Sequence, residues 1–255
     1  MGRMIREGTF RAWKAAELIL RNMNPGILGI QEGPSLKCLE EFLAGVGLSE
    51  MYRYAVVVKG NDSYHDVGWI SKYPIKEVCT HRDARFSPSK DRNLQMYLGR
   101  DCLEAVIQVT PNFKMTTFGI HLARNPIINQ AESVYVREVV EKTEGAVALL
   151  GDFNAFPGSR AFNRLKNMAG FQASNNFVRE PELFMRRPDY ILFKNLEIVP
   201  DSLKLWKTVG FLKQEGLKWG EDFDPHHPVS IDIKIPLLSG GNGHLGANGR
   251  SLNGS

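Results

Sequence analysis

Apolar residues recur three or four positions apart near the start of the chain, as they do on the buried face of an amphipathic helix. The positions with this spacing are Phe10, Trp13, Ala16, Leu20 and Met23. Asn24 and Pro25 follow, and because a residue before proline disfavours helical backbone, we expect the helix to end there. Pro34 and Ser35 begin a second pattern of this kind, which predicts another helix. Its core-facing positions are Leu36, Leu39, Phe42, Leu43 and Val46.

Short apolar runs bounded by polar or turn-forming residues predict strands. The segments are residues 26–32, 54–58, 67–71, 102–109, 114–122, 146–150, 189–193 and 229–235. A helical pattern over residues 129–142 and a short helix with Ser159 as its N-cap separate the later strands. Because strands alternate with helices early and late and cluster in the middle, we predict an α/β fold with a mixed sheet.

The length and composition fit one domain. With 255 residues, of which 43% are hydrophobic and 24% charged, the chain is long enough for a single large core. Residues 239–255 are rich in Gly, Asn and Ser and carry too little apolar surface to order themselves. We therefore predict one domain over residues 1–238 and a disordered tail over residues 239–255.

Charge and cysteine content bear on location and partners. The formal net charge of +4 permits a polyanionic partner without requiring one. Cys38, Cys79 and Cys102 are far apart and odd in number, so they form neither a disulfide framework nor a zinc pattern and are typical of reduced thiols in the cytoplasm. The first residues are too polar for a signal peptide, and no apolar run reaches the ~18 residues that span a bilayer. We predict a soluble cytoplasmic protein, with the nucleus as an alternative location, no membrane association and no implied protein partner.

Polar side chains stand at the ends of several predicted strands. Asp152 and Asn154 follow the run at residues 146–150 and, being two positions apart, point to the same side if the strand continues. The other residues of this kind, on separate segments, are Glu32, His121, Asp189 and His226. Sheets bring such ends together at one rim, where sites are usually built. The alternative for Asp152 and Asn154 is an ordinary turn stabilised by side-chain hydrogen bonds.

Six short segments around these residues match the pattern of a known family. They are residues 27–32, 68–75, 119–122, 150–154, 187–191 and 226–229, in that order along the chain. With them the chain resembles the endonuclease/exonuclease/phosphatase superfamily of metal-dependent phosphodiesterases, which includes the pancreatic-type deoxyribonucleases. The resemblance implies a four-layered α/β sandwich, in which two mixed β-sheets are flanked by helices and the site lies at one rim.

On the metal and water side, the resemblance implies three roles. Glu32 would be the principal ligand of Mg²⁺ or Mn²⁺, hard cations that prefer carboxylate oxygen. Asp152 would orient or deprotonate the attacking water, and Asn154 would hold that water or a phosphate oxygen.

On the phosphate side, it implies two hydrogen-bond donors. His121 would donate to a phosphate oxygen as negative charge accumulates in the transition state. Asp189 would hold His226 in one tautomer and favour its charged form, which makes His226 the second donor.

Two positions depart from the family pattern on the metal side. Family members begin with a strand that carries an Asn, whereas the segment before the first predicted helix has none. Either the chain is truncated or misassigned at its start, or the strand is degenerate and that ligand is missing. In the family's Ser-Asp-His-x-Pro motif, Pro225 stands where a carboxylate is expected. Asp224, one residue earlier, is the candidate replacement ligand.

The most direct hypothesis is a metal-dependent nuclease whose substrate is nucleic acid. A basic segment between residues 80 and 100 would follow the phosphate backbone, although a solvated loop explains the charges equally well. Its candidate substrate-binding residues are Arg82, Arg85, Lys90 and Arg92. Two alternatives stay open. One is a phosphatase or phosphodiesterase for a small phosphorylated molecule or lipid headgroup, and the other is a catalytically silent phosphate-binding relative. His65 and His81 lie in polar segments, and we expect no specific role for them.

Overall fold

The computed structural model describes residues 1–62, 65–87, 95–173, 189–206, 212, 216 and 228–236. The helices are α1 (Gly2–Glu7), α2 (Phe10–Met23), α3 (Leu36–Gly45), α4 (Pro126–Lys142) and α5 (Arg160–Lys166). The strands are β1 (Ile27–Gly33), β2 (Tyr54–Val58), β3 (Asp66–Ser71), β4 (Ile75–Thr80), β5 (Cys102–Thr110), β6 (Phe113–His121), β7 (Ala146–Asp152), β8 (Gln172–Ala173), β9 (Asp189–Lys194), β10 (Glu197–Ile198), β11 (Lys204–Leu205), β12 (Val229–Ser230) and β13 (Ile233–Lys234).

These strands form two principal sheets. The smaller one is antiparallel and has the order β1-β3-β2. The larger one has the order β4-β5-β6-β7-β9-β8 and is mixed, because β6 and β7 run parallel while their outer neighbours are antiparallel. Two short pairs, β10 with β13 and β11 with β12, complete the described strands.

Three apolar clusters show that the elements are stacked in four layers. Helices α1, α2 and α3 cover the smaller sheet, with Phe42 fully buried between them. Trp69 of β3 packs against Leu103 and Ile107 of β5, so the two sheets face each other. Helices α4 and α5 cover the outer face of the larger sheet around Phe118. The predicted α/β sandwich, two facing sheets flanked by helices, is therefore confirmed.

Local signals predicted the helix ends well. Helix α2 ends before Asn24, whose backbone is left-handed with φ of 48°, and Ser159 caps α5 by accepting the Phe162 amide at 3.2 Å. On the predicted core face of α2, Ala16 and Leu20 are buried as expected, whereas Phe10 is 85% exposed. The strand predicted over residues 229–235 is divided into β12 and β13.

The start of the chain differs from the degenerate first strand, one of the two sequence-based alternatives for this segment. Residues Gly2–Glu7 form helix α1, and Met4 and Ile5 are buried against the helices and strand of the smaller sheet. A degenerate strand is therefore not what these residues form. The predicted tail, residues 239–255, lies outside the described residues.

Candidate active site

Three neighbouring strands of the larger sheet bring the predicted residues into one row. His121 at the end of β6 is the register partner of Asp152 on β7, and Asp152 is the partner of Asp189 on β9. Register partners on adjacent strands place their side chains on the same face. The sheet therefore aligns an imidazole and two carboxylates at one edge, as the strand-end pattern predicted.

The residue before Asp152 can only be glycine in this backbone. Gly151 has φ of 137°, and a Cβ built on it would lie 2.0 Å from the Ile120 carbonyl oxygen of the neighbouring strand. A side chain at this position would push β6 and β7 apart. The close approach of the two backbones fixes the position of the Asp152 backbone and, with it, the root of its side chain.

Asp152 and Asn154 form a tight turn with several hydrogen bonds. The Asn154 amide donates to Asp152 Oδ1 at 2.8 Å, and Asn154 Nδ2 donates to Asp152 Oδ2 at 3.1 Å and to the Leu122 carbonyl at 2.8 Å. Asn154 takes a left-handed φ of 44°, which Asn tolerates better than most residues. The alternative of a side-chain-stabilised turn is thus realised, and the same bonds hold the carboxylate in one orientation beside His121.

Glu32 is presented by a bulge in the facing sheet. Pairing between β1 and β3 shifts between Ile30 and Gly33, which leaves one extra residue on β1. Glu32 has φ of 53°, an uncommon backbone conformation for a residue with a side chain. The bulge turns the carboxylate towards the rim, where its side chain is 20% exposed.

Two basic side chains, His65 and Arg124, approach Glu32, and neither was identified from the sequence. His65 Nε2 lies 3.6 Å and Arg124 Nη2 lies 3.9 Å from Glu32 Oε1. His65 Nδ1 is 2.5 Å from Asp62 Oδ2, which also accepts from Arg100 Nε at 2.8 Å. The contact between Nδ1 and Asp62 orients the ring so that Nε2 faces Glu32. The sequence analysis expected no specific role for His65 and did not place it beside Glu32.

His121 is fully buried next to this group. Its side chain has no exposed surface, and Nε2 lies 3.3 Å from Asp152 Oδ2 without hydrogen-bond geometry. Among the described residues, neither ring nitrogen has a hydrogen-bond partner. The His65 ring packs edge-on against it with centroids 5.3 Å apart. A phosphate oxygen would reach His121 only if a covering side chain moved.

Helix α4 holds together the two loops that carry the site. Asn129 Nδ2 donates to the carbonyls of Ala123 at 2.9 Å and Phe153 at 2.8 Å, one from the loop after β6 and one from the loop after β7. Glu132 accepts the amides of Ala123 at 2.6 Å and Gly99 at 3.1 Å. Burial raises the pKa of the Glu132 carboxyl, and the two amide donors oppose this effect. Asn129 and Glu132 are polar residues within a predicted helix, and the sequence analysis did not identify them as residues that hold the site together.

A cleft of about 650 Å³ opens between the two sheets beside these residues. Glu32, Asp152 and Asp189 line one end of it, and Trp206 lines it as well. The remaining lining is largely apolar, with Leu28, Leu150 and other aliphatic residues of both sheets. Carboxylates from the two facing sheets therefore meet at one cleft.

The donor set at this rim fits a hard divalent cation bound by few protein ligands. Mg²⁺ usually keeps several waters and takes one or two carboxylates together with substrate phosphates. Glu32 supplies such a carboxylate at a partly open rim. In the described part of the chain, the one cluster of three ligand-type side chains within 4.8 Å lies elsewhere, at Cys79. Among the described residues, the rim at Glu32 therefore offers fewer than three protein ligands grouped in this way.

The structure describes some of the predicted residues and leaves others out. Arg82 donates to the Lys59 carbonyl at 3.3 Å, and Arg85 Nε donates to the Tyr97 hydroxyl at 2.8 Å. Asn61 Nδ2 joins the Arg82 carbonyl at 2.7 Å, which connects the basic segment to the residues that carry Asp62 and His65. The other four predicted residues lie outside the described part of the chain. They are Lys90, Arg92, Asp224 and His226.

Comparison with known families agrees with the geometry of the site. The sequence profile of the endonuclease/exonuclease/phosphatase family matches residues 8–222. The chain belongs to this family. Its members are phosphodiesterase-type hydrolases that generally use divalent metal ions. A comparison with curated protein sequences gave no match.

Solved structures with the same fold are distant in sequence. An endonuclease/exonuclease/phosphatase from Beutenbergia cavernae DSM 12333 is 13% identical with a TM-score of 0.61, and the match covers 88% of this chain and 66% of that one. Humanized D. rerio TDP2 is 13% identical with a TM-score of 0.62, with 88% and 90% covered. The human Nocturnin catalytic domain is 10% identical with a TM-score of 0.53, with 72% and 76% covered. At these identities the likeness establishes the fold.

The described helices were compared with the length and hydropathy that a membrane-spanning helix requires. None of those in the ranges given above is long and apolar enough to cross a bilayer.

The three cysteines, Cys38, Cys79 and Cys102, are all free thiols.

Proposed function

We propose that the protein is a Mg²⁺- or Mn²⁺-dependent phosphodiesterase that hydrolyses nucleic acid, as an endonuclease or exonuclease in the cytoplasm. The observation that carries this proposal is the meeting of Glu32 from one sheet with Asp152 and Asp189 from the other at a single cleft. Two sheets whose polar strand ends converge there provide acidic groups for a cation and for water activation. We assign the activity to residues 1–238 as one domain.

Glu32 would hold the metal ion, and the two basic side chains beside it would adjust to the ion. When bound, the ion supplies positive charge to the phosphate oxygens as the P–O bond breaks. Arg124 is 71% exposed and only 3.9 Å from Glu32, so its guanidinium is free to turn from the carboxylate to an incoming phosphate. His65 stays anchored by Asp62 at its other nitrogen.

Asp152 would accept a proton from the attacking water, with Asn154 keeping its carboxylate in place. Both Asp152 oxygens already accept hydrogen bonds from Asn154, which limits their rotation. The His121 ring lies beside this carboxylate, with Nε2 at 3.3 Å from Oδ2. Direct donation from His121 to a phosphate stays a prediction, as do the pairing of Asp189 with His226 and the metal role of Asp224.

A small phosphorylated molecule is the second candidate substrate, because of the dimensions of the cleft. A volume of about 650 Å³ lies within the usual range for small-molecule sites, and Trp206 offers a flat apolar surface. Nucleic acid is favoured by the exposed Arg124 and by the link from the basic segment at Arg82 to the site-bearing residues.

Cleavage assays with several substrates would test the proposed function. The protein should cleave a labelled duplex or single strand with Mg²⁺ or Mn²⁺, and EDTA should remove the activity. Faster turnover of small phosphate esters than of either polymer would select the second candidate. Failure to turn over any of these substrates with either metal would identify a catalytically silent phosphate-binding relative and contradict the proposal.

We expect Glu32→Gln to raise the Mg²⁺ concentration needed for half-maximal activity by at least about tenfold, because a neutral amide is a poorer ligand for a hard cation than a carboxylate. The measurement is the cleavage rate as a function of Mg²⁺ concentration. Glu7→Gln is the matched control, since Glu7 pairs with Arg3 on the surface of α1. An unchanged Mg²⁺ dependence in Glu32→Gln would exclude Glu32 as the metal ligand.

A further inference from the structure

A second group of metal-ligating side chains lies on the outer strands of the larger sheet. Cys79 of β4 and Glu104 of β5 are direct cross-strand partners, and His81 follows the end of β4. The thiol, an imidazole nitrogen and a carboxylate oxygen of these residues all lie within 4.8 Å of one another. None of the three lines the cleft between the sheets, so this cluster is separate from the candidate active site.

The imidazole of this cluster is held from several sides. The His81 amide donates to Asp101 Oδ1 at 2.8 Å, which fixes the backbone where β4 ends. His81 Nδ1 is 2.9 Å from the Tyr135 hydroxyl of α4, and Nε2 is 3.1 Å from Glu104 Oε2. One ring nitrogen is therefore engaged by a group behind it, while the other faces the carboxylate. Metal-bound histidines show the same division of roles.

We propose that Cys79, His81 and Glu104 bind a Zn²⁺ ion. Sulfur, nitrogen and oxygen donors together suit zinc, whereas Mg²⁺ and Ca²⁺ avoid thiolate and imidazole. Two ligands at about 2.0–2.2 Å from a tetrahedral ion stand about 3.3–3.5 Å apart, so the 3.1 Å between His81 Nε2 and Glu104 Oε2 needs little adjustment.

Binding of the ion releases one proton, that of the Cys79 thiol. Cys79 binds as the thiolate and releases its thiol proton to solvent, His81 binds through the Nε2 lone pair, and Glu104 through its carboxylate. Cys79 is exposed, so water has access to the fourth position. The ion would clamp β4, an edge strand of the sheet, to β5 and fix the start of the segment that carries Arg82 and Arg85.

Cobalt and zinc titrations of the full chain test this site. Co²⁺ added to metal-free protein should give an intense near-ultraviolet thiolate-to-cobalt band at one equivalent, and Zn²⁺ should displace it. The carboxylate rim at Glu32 has no thiol and cannot produce this band. Cys79→Ser should abolish the band and weaken Zn²⁺ binding, measured against a chromophoric chelator, by at least about 100-fold. Tyr135→Phe should keep the band and weaken binding about tenfold, the usual cost of losing an outer hydrogen bond to a ligand.

Cys38→Ser is the matched control. The Cys38 thiol lies 3.6 Å from the Ile5 carbonyl, in the layer of helices on the smaller sheet, so its removal should leave the band and the zinc affinity unchanged. A wild-type protein without the band, a band that persists in Cys79→Ser, or an equal loss in Cys38→Ser would each overturn the proposal. Because the readout is metal binding alone, the outcome does not depend on whether the protein is a nuclease.

Discussion

Asp152→Asn is expected to lower kcat for phosphodiester cleavage by about 1,000-fold with little change in KM. Positioned acid–base groups contribute about 10²–10⁴-fold, and a neutral amide cannot take a proton from water. The loss corresponds to about 4 kcal/mol of transition-state stabilisation. A lower kcat with an unchanged KM would mean that Asp152 stabilises the transition state and does not contribute to substrate binding.

The same substitution has a smaller structural cost that must be measured separately. The side-chain oxygen of an asparagine at position 152 could still accept one hydrogen bond from Asn154. Its NH₂ group would then face the other donor, either the Asn154 backbone N–H or Asn154 Nδ2, and two donors cannot bond to each other. An unpaired buried donor costs about 1–3 kcal/mol of folding stability. Circular dichroism and urea unfolding of the variant would show whether the fold is retained during the kinetic measurement.

Asp201→Asn is a suitable control for this kinetic test. Asp201 is exposed, does not line the cleft, and has a left-handed φ of 58° that asparagine also accepts. It should keep the wild-type rate. If folded Asp152→Asn retained more than a tenth of wild-type kcat, Asp152 would not be the group that activates water.

Much of the site could be predicted because its geometry follows from strand ends. The apolar runs that predict β6, β7 and β9 each have a polar residue at the rim, and pairing in register sets His121, Asp152 and Asp189 side by side. Because an apolar run must stay buried, its burial fixes the register in which the strand pairs with its neighbours. The register then places the polar residue at the end of the strand on the rim of the sheet. The Ser159 cap was equally local, since its partner is three residues away.

Other parts of the site depend on contacts between distant segments, which no local pattern records. His65 meets Glu32 because β1 and β3 pair with a bulge at that point, and Arg124 comes from the loop that follows β6 of the larger sheet. A local signal did exist for His65, because Asp62 accepts its amide at 2.9 Å in a short turn. Asn129 was read as part of an amphipathic helix, although a buried amide on the core face needs partners.

Helix packing explains why Phe10 was misplaced. Periodicity put Phe10 on the core face of α2. The predicted positions Ala16 and Leu20 are buried, but the buried face is completed by Ala12, Ala15 and Ile19 on the side away from Phe10. Small side chains let α2 approach its neighbours closely, and Trp13 stays partly buried with its indole N–H donating to the Ile5 carbonyl at 3.0 Å. Helix α1 supplies that carbonyl, and a six-residue helix with no side-chain cap is stabilised by packing more than by its own sequence.

Gly151→Ala is expected to lower the free energy of unfolding by at least about 4 kcal/mol, among the largest effects of a single substitution. The new Cβ would lie 2.0 Å from the Ile120 carbonyl oxygen, a backbone atom in the register partner of Gly151 on the parallel strand. Relief requires separating β6 from β7, the strands that carry His121 and Asp152. Because a misplacement of about 1 Å in an active site can cost about 100-fold in rate, activity should fall even in the fraction that folds.

Two other glycines separate the causes of this effect. Gly145→Ala adds a side chain at φ of 77° with nothing within 4 Å of the new Cβ, so it should cost only the ~1–2 kcal/mol of a left-handed residue. Gly29→Ala meets Leu150 Cδ1 at 2.6 Å, the flexible end of a side chain that can turn away, so it should cost less than Gly151→Ala. Urea unfolding of the three variants gives the comparison. Failure of Gly151→Ala to fold while both others fold agrees with the backbone clash, whereas equal stability of all three would mean that β6 and β7 are not held this close.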